Sequence, residues 1–167
     1  MSREQRRYVL EQGIGSGLIN VLINAAVAWL LFRSLPNVPL WGLQSIAGDT
    51  VGTCFVLPFA TCLIVTRLTH REVRRGRFPS PDWRRAAHPA LGRLPGATTP
   101  RAALLGLLCT LVVAPLALGA LAALGIAELG LASFVAFKAL FAGALAAVVT
   151  PLIAVAALGD TAAPGAT

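Results

Sequence analysis

Four apolar runs, each long enough to cross a bilayer, dominate this chain of 167 residues. They cover about 13–33, 41–66, 102–126 and 131–158. Roughly 20 helical residues rising ~1.5 Å each span the ~30 Å hydrocarbon core. In lipid every backbone N–H and C=O must pair within the protein, so runs this long read as helices and not as barrel strands. Composition removes the other classes. Hydrophobic residues make up 56% and charged residues 13%, against ~25% charged in an ordinary soluble domain, and the mean hydropathy is +0.75. Leu, Ala and Val are too abundant for disorder, no triplet repeat suggests collagen, and three cysteines are too few for a disulfide scaffold. The expected fold class is all-α: a polytopic membrane protein with four transmembrane helices. Pro58, Pro115 and Pro151 fall inside the runs, where neighbouring helices make a kink tolerable.

The net charge of +7 is arranged in blocks. Of thirteen arginines, three precede the first run and nine lie between Arg67 and Arg101. The short turns near 33–40 and 126–130 hold only Arg33 and Glu128 between them. By the positive-inside rule the N-terminus (1–12), the 67–101 loop and the C-terminal tail (159–167) are cytoplasmic, with both short turns outside. A nucleic-acid partner is not expected, because the basic blocks abut apolar runs instead of decorating a polar domain. A cleaved signal peptide is the other reading of 1–32, but its apolar part is long and meets Arg33 with no small-residue exit.

The loop itself divides. Residues 67–77 (RLTHREVRRGR) extend the second helix out of the membrane, and Phe78-Pro79 ends it. Ser80-Pro81-Asp82 reads as a cap and first-turn proline, opening a short interfacial helix to about His88. Thr99-Pro100 opens the third run by the same logic. The arginines hold the loop inside. They also suit anionic lipid, with Arg71, Arg74, Arg75, Arg77, Trp83, Arg84 and Arg85 as candidate contacts.

Two charges lie within the apolar runs: Asp49 and Lys138, the latter being the single lysine. Charge inside a span is costly and faces the bundle interior with a partner. Both sit about eight residues, or ~12 Å, from the outer end of helices running the same way, so an ion pair between them is expected. That pair is either a lock between two helices or a substrate or proton site. Asn20 and Asn24, one helical turn apart with Ser16 one turn earlier, make a polar stripe at a similar level, and Thr53 lies one turn beyond Asp49. The candidate site is Asn24, Asp49, Thr53 and Lys138, with Asn20 below it. For the polar stripe the alternative is hydrogen-bond glue between helices.

Small residues recur at four-residue spacing: Gly13 and Gly17, Gly48 and Gly52, and Ala139, Gly143 and Ala147. They permit close helix contact, and the Gly48 pair brackets Asp49. Residues 13–66 slide onto 102–155 without a gap, placing Asp49 on Lys138. This is either a parallel repeat of two hairpins about an axis along the membrane normal or a chance match of Ala- and Leu-rich helices. Cys54, Cys62 and Cys109 read as inert buried thiols. His70 and His88 have no ligands at metal spacing, and no catalytic motif is present. No metal, cofactor or enzymatic activity is expected.

The NAA segment at Asn24-Ala25-Ala26, the GD at Gly48-Asp49, and the FKALFAG stretch from Phe137 to Gly143 followed by Thr150-Pro151 resemble small bacterial inner-membrane proteins of four helices that carry permease-like labels. The resemblance implies transport across the inner membrane and brings no substrate. Because four helices are thin for a whole translocation path, a homo-oligomer is expected. The rival expectation is a non-transporting scaffold or subunit whose basic loop binds lipid or a partner protein.

Overall fold

The computed structural model describes residues 1–77, 83 and 91–162. Its main elements are four helices, α1 (Arg3–Phe32), α2 (Ile46–Arg74), α3 (Thr98–Ala123) and α4 (Leu131–Gly159), each long and apolar enough to span a membrane. α2, α3 and α4 run unbroken through Pro58, Pro115 and Pro151. The expected short helix over 80–88 lies outside the described residues, Trp83 apart.

The helix ends differ from the sequence expectation, and local chemistry explains each difference. α1 starts ten residues early, at Arg3 rather than residue 13. Ser2 and Gln5 form a reciprocal capping box, at 3.1 and 2.9 Å, that satisfies two orphan N–H groups. α2 starts late, at Ile46 rather than residue 41. Gly42 turns the chain at φ 127°, and Ser45 caps the helix by accepting from the Gly48 N–H. α2 then leaves the apolar segment as expected but stops at Arg74, ahead of Phe78-Pro79. Gly76, at φ 71°, lets its own N–H and that of Arg77 fold back onto the Val73 and Glu72 carbonyls. Gly125 ends α3 in the same way, short of residue 126. α3 begins at Thr98 with Ala97 as its cap, so Pro100 sits third in the helix and Thr99 is not the cap.

The two short turns form a feature absent from the sequence reading. Residues Asn37–Pro39 (β1) and Glu128–Gly130 (β2) pair antiparallel, with Val38 opposite Leu129. The Asn37 amide also donates to the Glu128 carboxylate at 2.9 Å. Phe32, Val38, Leu40, Ile46, Leu121 and Phe134 form an apolar plug under this ribbon. It marks the strand end of the molecule; the arginine-rich end opposite is the basic end.

The helices pack crosswise. α1 lies on α4, α4 also on α2, and α3 on the other side of α2. Small residues set the closest of these contacts. A Cβ on Gly13 would stand 2.7 Å from the Pro151 ring, and one on Gly17 would stand 3.2 Å from the Gly143 carbonyl and the Ala147 side chain. The Gly13 and Gly17 pattern of α1 thus meets the Gly143 and Ala147 pattern of α4. Gly48 and Gly52 do not repeat this: a Cβ on Gly52 would meet nothing within 4 Å.

Gly17→Leu is expected to lower stability by about 1–3 kcal/mol, since extra atoms in a close-packed contact force backbone shifts. Gly119→Leu, where the added Cβ has open space, is the control. Thermal unfolding in detergent followed by circular dichroism compares the two. Equal midpoints would show that α1 and α4 do not approach through these glycines.

Candidate functional site

Asp49 stands in the first turn of α2. The late start of that helix leaves it about one turn, or ~5 Å, from the helix end, shallower than the ~12 Å expected. The carboxylate gains there from the positive end of the helix dipole. Lys138 reaches it from the third turn of α4. The ammonium Nζ donates to both Asp49 carboxylate oxygens at 2.5 Å and to Thr53 Oγ1 at 2.7 Å. Thr53 in turn donates to the Asp49 carbonyl at 2.8 Å. All three ammonium protons therefore have acceptors. The Asp49 and Lys138 side chains are only 9% and 5% exposed.

This cluster faces a groove. α1 and α2 diverge on the two sides of α4 and enclose a cavity of about 810 Å³, whose walls include Asn20, Asn24, Asp49, Thr53 and Lys138. Most of the remaining lining is aliphatic, including Ile19, Ile23, Val56, Ala60 and Ile64. At the basic end Tyr8 Oη and Thr69 Oγ1, 3.1 Å apart, tie α1 to α2. At the strand end the apolar plug closes the space. What stays open is the side between α1 and α2.

Asn20 and Asn24 share the groove but not the cluster. The Asn24 amide donates to the Asn20 carbonyl at 3.0 Å, and the Asn20 amide to the Ser16 carbonyl at 2.9 Å. The stripe is thus stitched along its own helix and forms the wall facing the ion pair. Ser16 alone crosses between helices, accepting from Thr150 Oγ1 of α4 at 2.9 Å.

The sequence reading missed a second buried pair. Arg101, 1% exposed, was counted among the loop arginines. Its guanidinium donates to Asp160 Oδ2 at 2.6 Å and to Thr66 Oγ1 at 3.5 Å. Arg101 lies near the N-terminus of α3 and Asp160 caps the C-terminus of α4. Each charge is at the unfavourable end of its own helix dipole, and pairing offsets both. The available signal was that two helix ends bearing one unscreened charge each fall at the same end of the bundle.

Of the candidate lipid contacts, Arg71 and Arg74 are exposed. Arg75 and Arg77 engage the Glu72 carboxylate at 3.6 and 3.0 Å. Trp83 is half-buried, and Arg84 and Arg85 lie outside the described residues. Among the described residues no His, Cys, Asp and Glu cluster could hold a metal, and the cysteines are free thiols. No family model matches the chain, and no curated protein or solved structure matches it.

Removing one partner of a buried pair strands the other charge at a cost of about 3–5 kcal/mol, whereas removing both is often close to neutral. Asp49→Asn and Lys138→Met are each expected to lower the unfolding midpoint, and the double variant to recover most of the loss. Losses that simply add in such a cycle would mean that the two side chains do not meet.

Proposed function

We propose that this chain is an integral protein of the bacterial inner membrane and a small permease-like transporter. Its polar intramembrane site is Asp49, Thr53 and Lys138, with Asn20 and Asn24 on the facing wall. One observation carries the reading: the ion pair faces a cavity. A pair serving only to fasten two helices is best packed dry on all sides, because solvent or ligand access weakens it. Lysine also suits a site better than a fastening. In a low dielectric an amine gives up its proton far more readily than a guanidinium, and this chain uses arginine at its thirteen other basic positions.

In this reading the basic end is cytoplasmic, both termini included, and the strand end faces outward. The two hairpins form a parallel repeat. Support comes from the crosswise packing, in which the first helix of each hairpin lies on the second helix of the other, and from α2 and α4 each spanning 29 residues. The pairing of β1 with β2 across the same centre agrees. A homo-oligomer supplies the width that a row of four helices lacks. A second reading, that of a non-transporting scaffold or subunit binding lipid or a partner protein, draws on the full mutual satisfaction of Asp49, Thr53 and Lys138.

The topology has a direct measurement. In a chain with its three native cysteines replaced, a cysteine at Leu43, which is 104% exposed at the strand end, is expected to react with an impermeant maleimide on intact cells. One at Arg74 is expected to react only after lysis. The opposite pattern would invert the protein.

Transport and scaffold separate at Lys138. A deletion strain is profiled for growth across nutrients and toxic compounds, then complemented. The Asp49→Asn, Lys138→Met double variant is expected to insert and fold yet fail to complement, and Lys138→Arg is expected to lose most complementation although it keeps the charge. Full complementation by both would reduce the pair to a lock between α2 and α4.

A further inference from the structure

The groove between α1 and α2 ends beside unpaired positive charge. The α2 face that lines it runs through Val56, Ala60 and Ile64 at helical spacing. Continued along the same unbroken helix, that face reaches Arg67 and Arg71. Both are exposed, and among the described residues neither meets a carboxylate. Both carboxylates near this mouth are already engaged by other arginines. Arg7 pairs with Glu11 at 2.7 Å, and Glu72 is taken up by Arg75 and Arg77.

The shape of the groove selects its occupant. From Glu11 to Asn24 the α1 wall is ~20 Å long at 1.5 Å per residue. Along that length the walls are mostly aliphatic, with Ile19, Ile23, Val56, Ala60 and Ile64 among them. An extended hydrocarbon chain, whose carbons contact their neighbours at ~4 Å, suits a long apolar lining of this kind.

We propose that the groove is the binding site of an anionic phospholipid. One acyl chain lies along α1 and α2 toward Asn24 and the Asp49–Lys138 pair. The phosphate headgroup rests on Arg67 and Arg71 at the basic end. This rests on the membrane setting proposed above and is independent of transport.

The test uses the purified full chain in detergent and native mass spectrometry, with phosphatidylglycerol and phosphatidylcholine of identical acyl chains as probes. The wild type is expected to retain phosphatidylglycerol at concentrations where phosphatidylcholine is lost. Two arginines facing an anionic headgroup correspond to a preference of ~30-fold. The R67Q/R71Q variant is expected to bring the two lipids level. Ala60→Trp, which fills the groove and leaves both arginines in place, is expected to abolish retention of both. Gly52→Leu points into open space within the same groove and serves if the tryptophan variant does not fold. Equal retention by the wild type would reduce the lipid to an unselective annulus and overturn the proposal. Selectivity that survives R67Q/R71Q, or retention unchanged in both groove-filled variants, would overturn it too. So would disulfide-linked dimers through a cysteine at Ile23, because a second chain would then occupy the groove. Failure of the transport reading appears separately, as Lys138→Arg complementing fully while lipid selectivity persists.

Discussion

α1 packs along α4 rather than along α2, the helix that follows it in the chain, and the rest of the architecture depends on that choice. The glycines at 13, 17 and 143 let two backbones approach where any side chain would collide. In the membrane setting proposed above, apolar side chains gain little by leaving their solvent, so close backbone contact and shared polar groups supply the association. The Ser16–Thr150 hydrogen bond lies along this same seam. Had α1 packed on α2, the space between them would have closed and Lys138 would stand in a sealed core. Packed on α4, α1 leaves its neighbour in sequence splayed away, and the ion pair meets a cavity.

Two devices hold the splayed pair at its ends. At the strand end the β1–β2 ribbon satisfies backbone groups of both turns at once, so each hairpin stabilises the turn of the other. At the basic end the hydrogen bond between Tyr8 and Thr69 joins α1 to α2. Neither device fills the middle. The groove thus has fixed ends and an open flank, through which the proposed acyl chain would enter.

Helix number and the charge pair were legible in the sequence because both follow from the cost of exposing polar groups to hydrocarbon. That cost does not set where a helix ends outside the apolar layer. There the capping box at Ser2, the turn at Gly42 and the C-terminal glycines at 76 and 125 decide, and hydropathy is blind to them. The shallow position of Asp49 follows from one such misplacement, the late start of α2. The small-residue seam was readable as a pattern, but whether Gly13 and Gly17 or Gly48 and Gly52 would be used was not, because either pair satisfies the same spacing. Arg101 escaped for a related reason. Nine arginines in one loop look alike in sequence, and only packing separates Arg101, folded inward against Asp160, from described neighbours such as Arg67 and Arg71 that stay exposed.

The two buried ion pairs differ in ways that assign them different work. Arg101 and Asp160 sit at the wrong ends of their own helix dipoles and neutralise one another between helix termini, a duty that calls for a permanent charge. Arginine meets it, because its guanidinium keeps its proton and can bond to Asp160 and Thr66 together. Asp49 needs no such rescue, since it already stands at the favourable end of α2. Lys138 on α4 stands well inside its helix, with no terminus to offset its charge, and depends wholly on Asp49 and Thr53. Any ligand or proton that engages Asp49 therefore acts at once on Lys138. The cavity reaches the pair, so in the transport reading proposed above the dependence of Lys138 on a single carboxylate is the feature that would turn a fastening between helices into a responsive site.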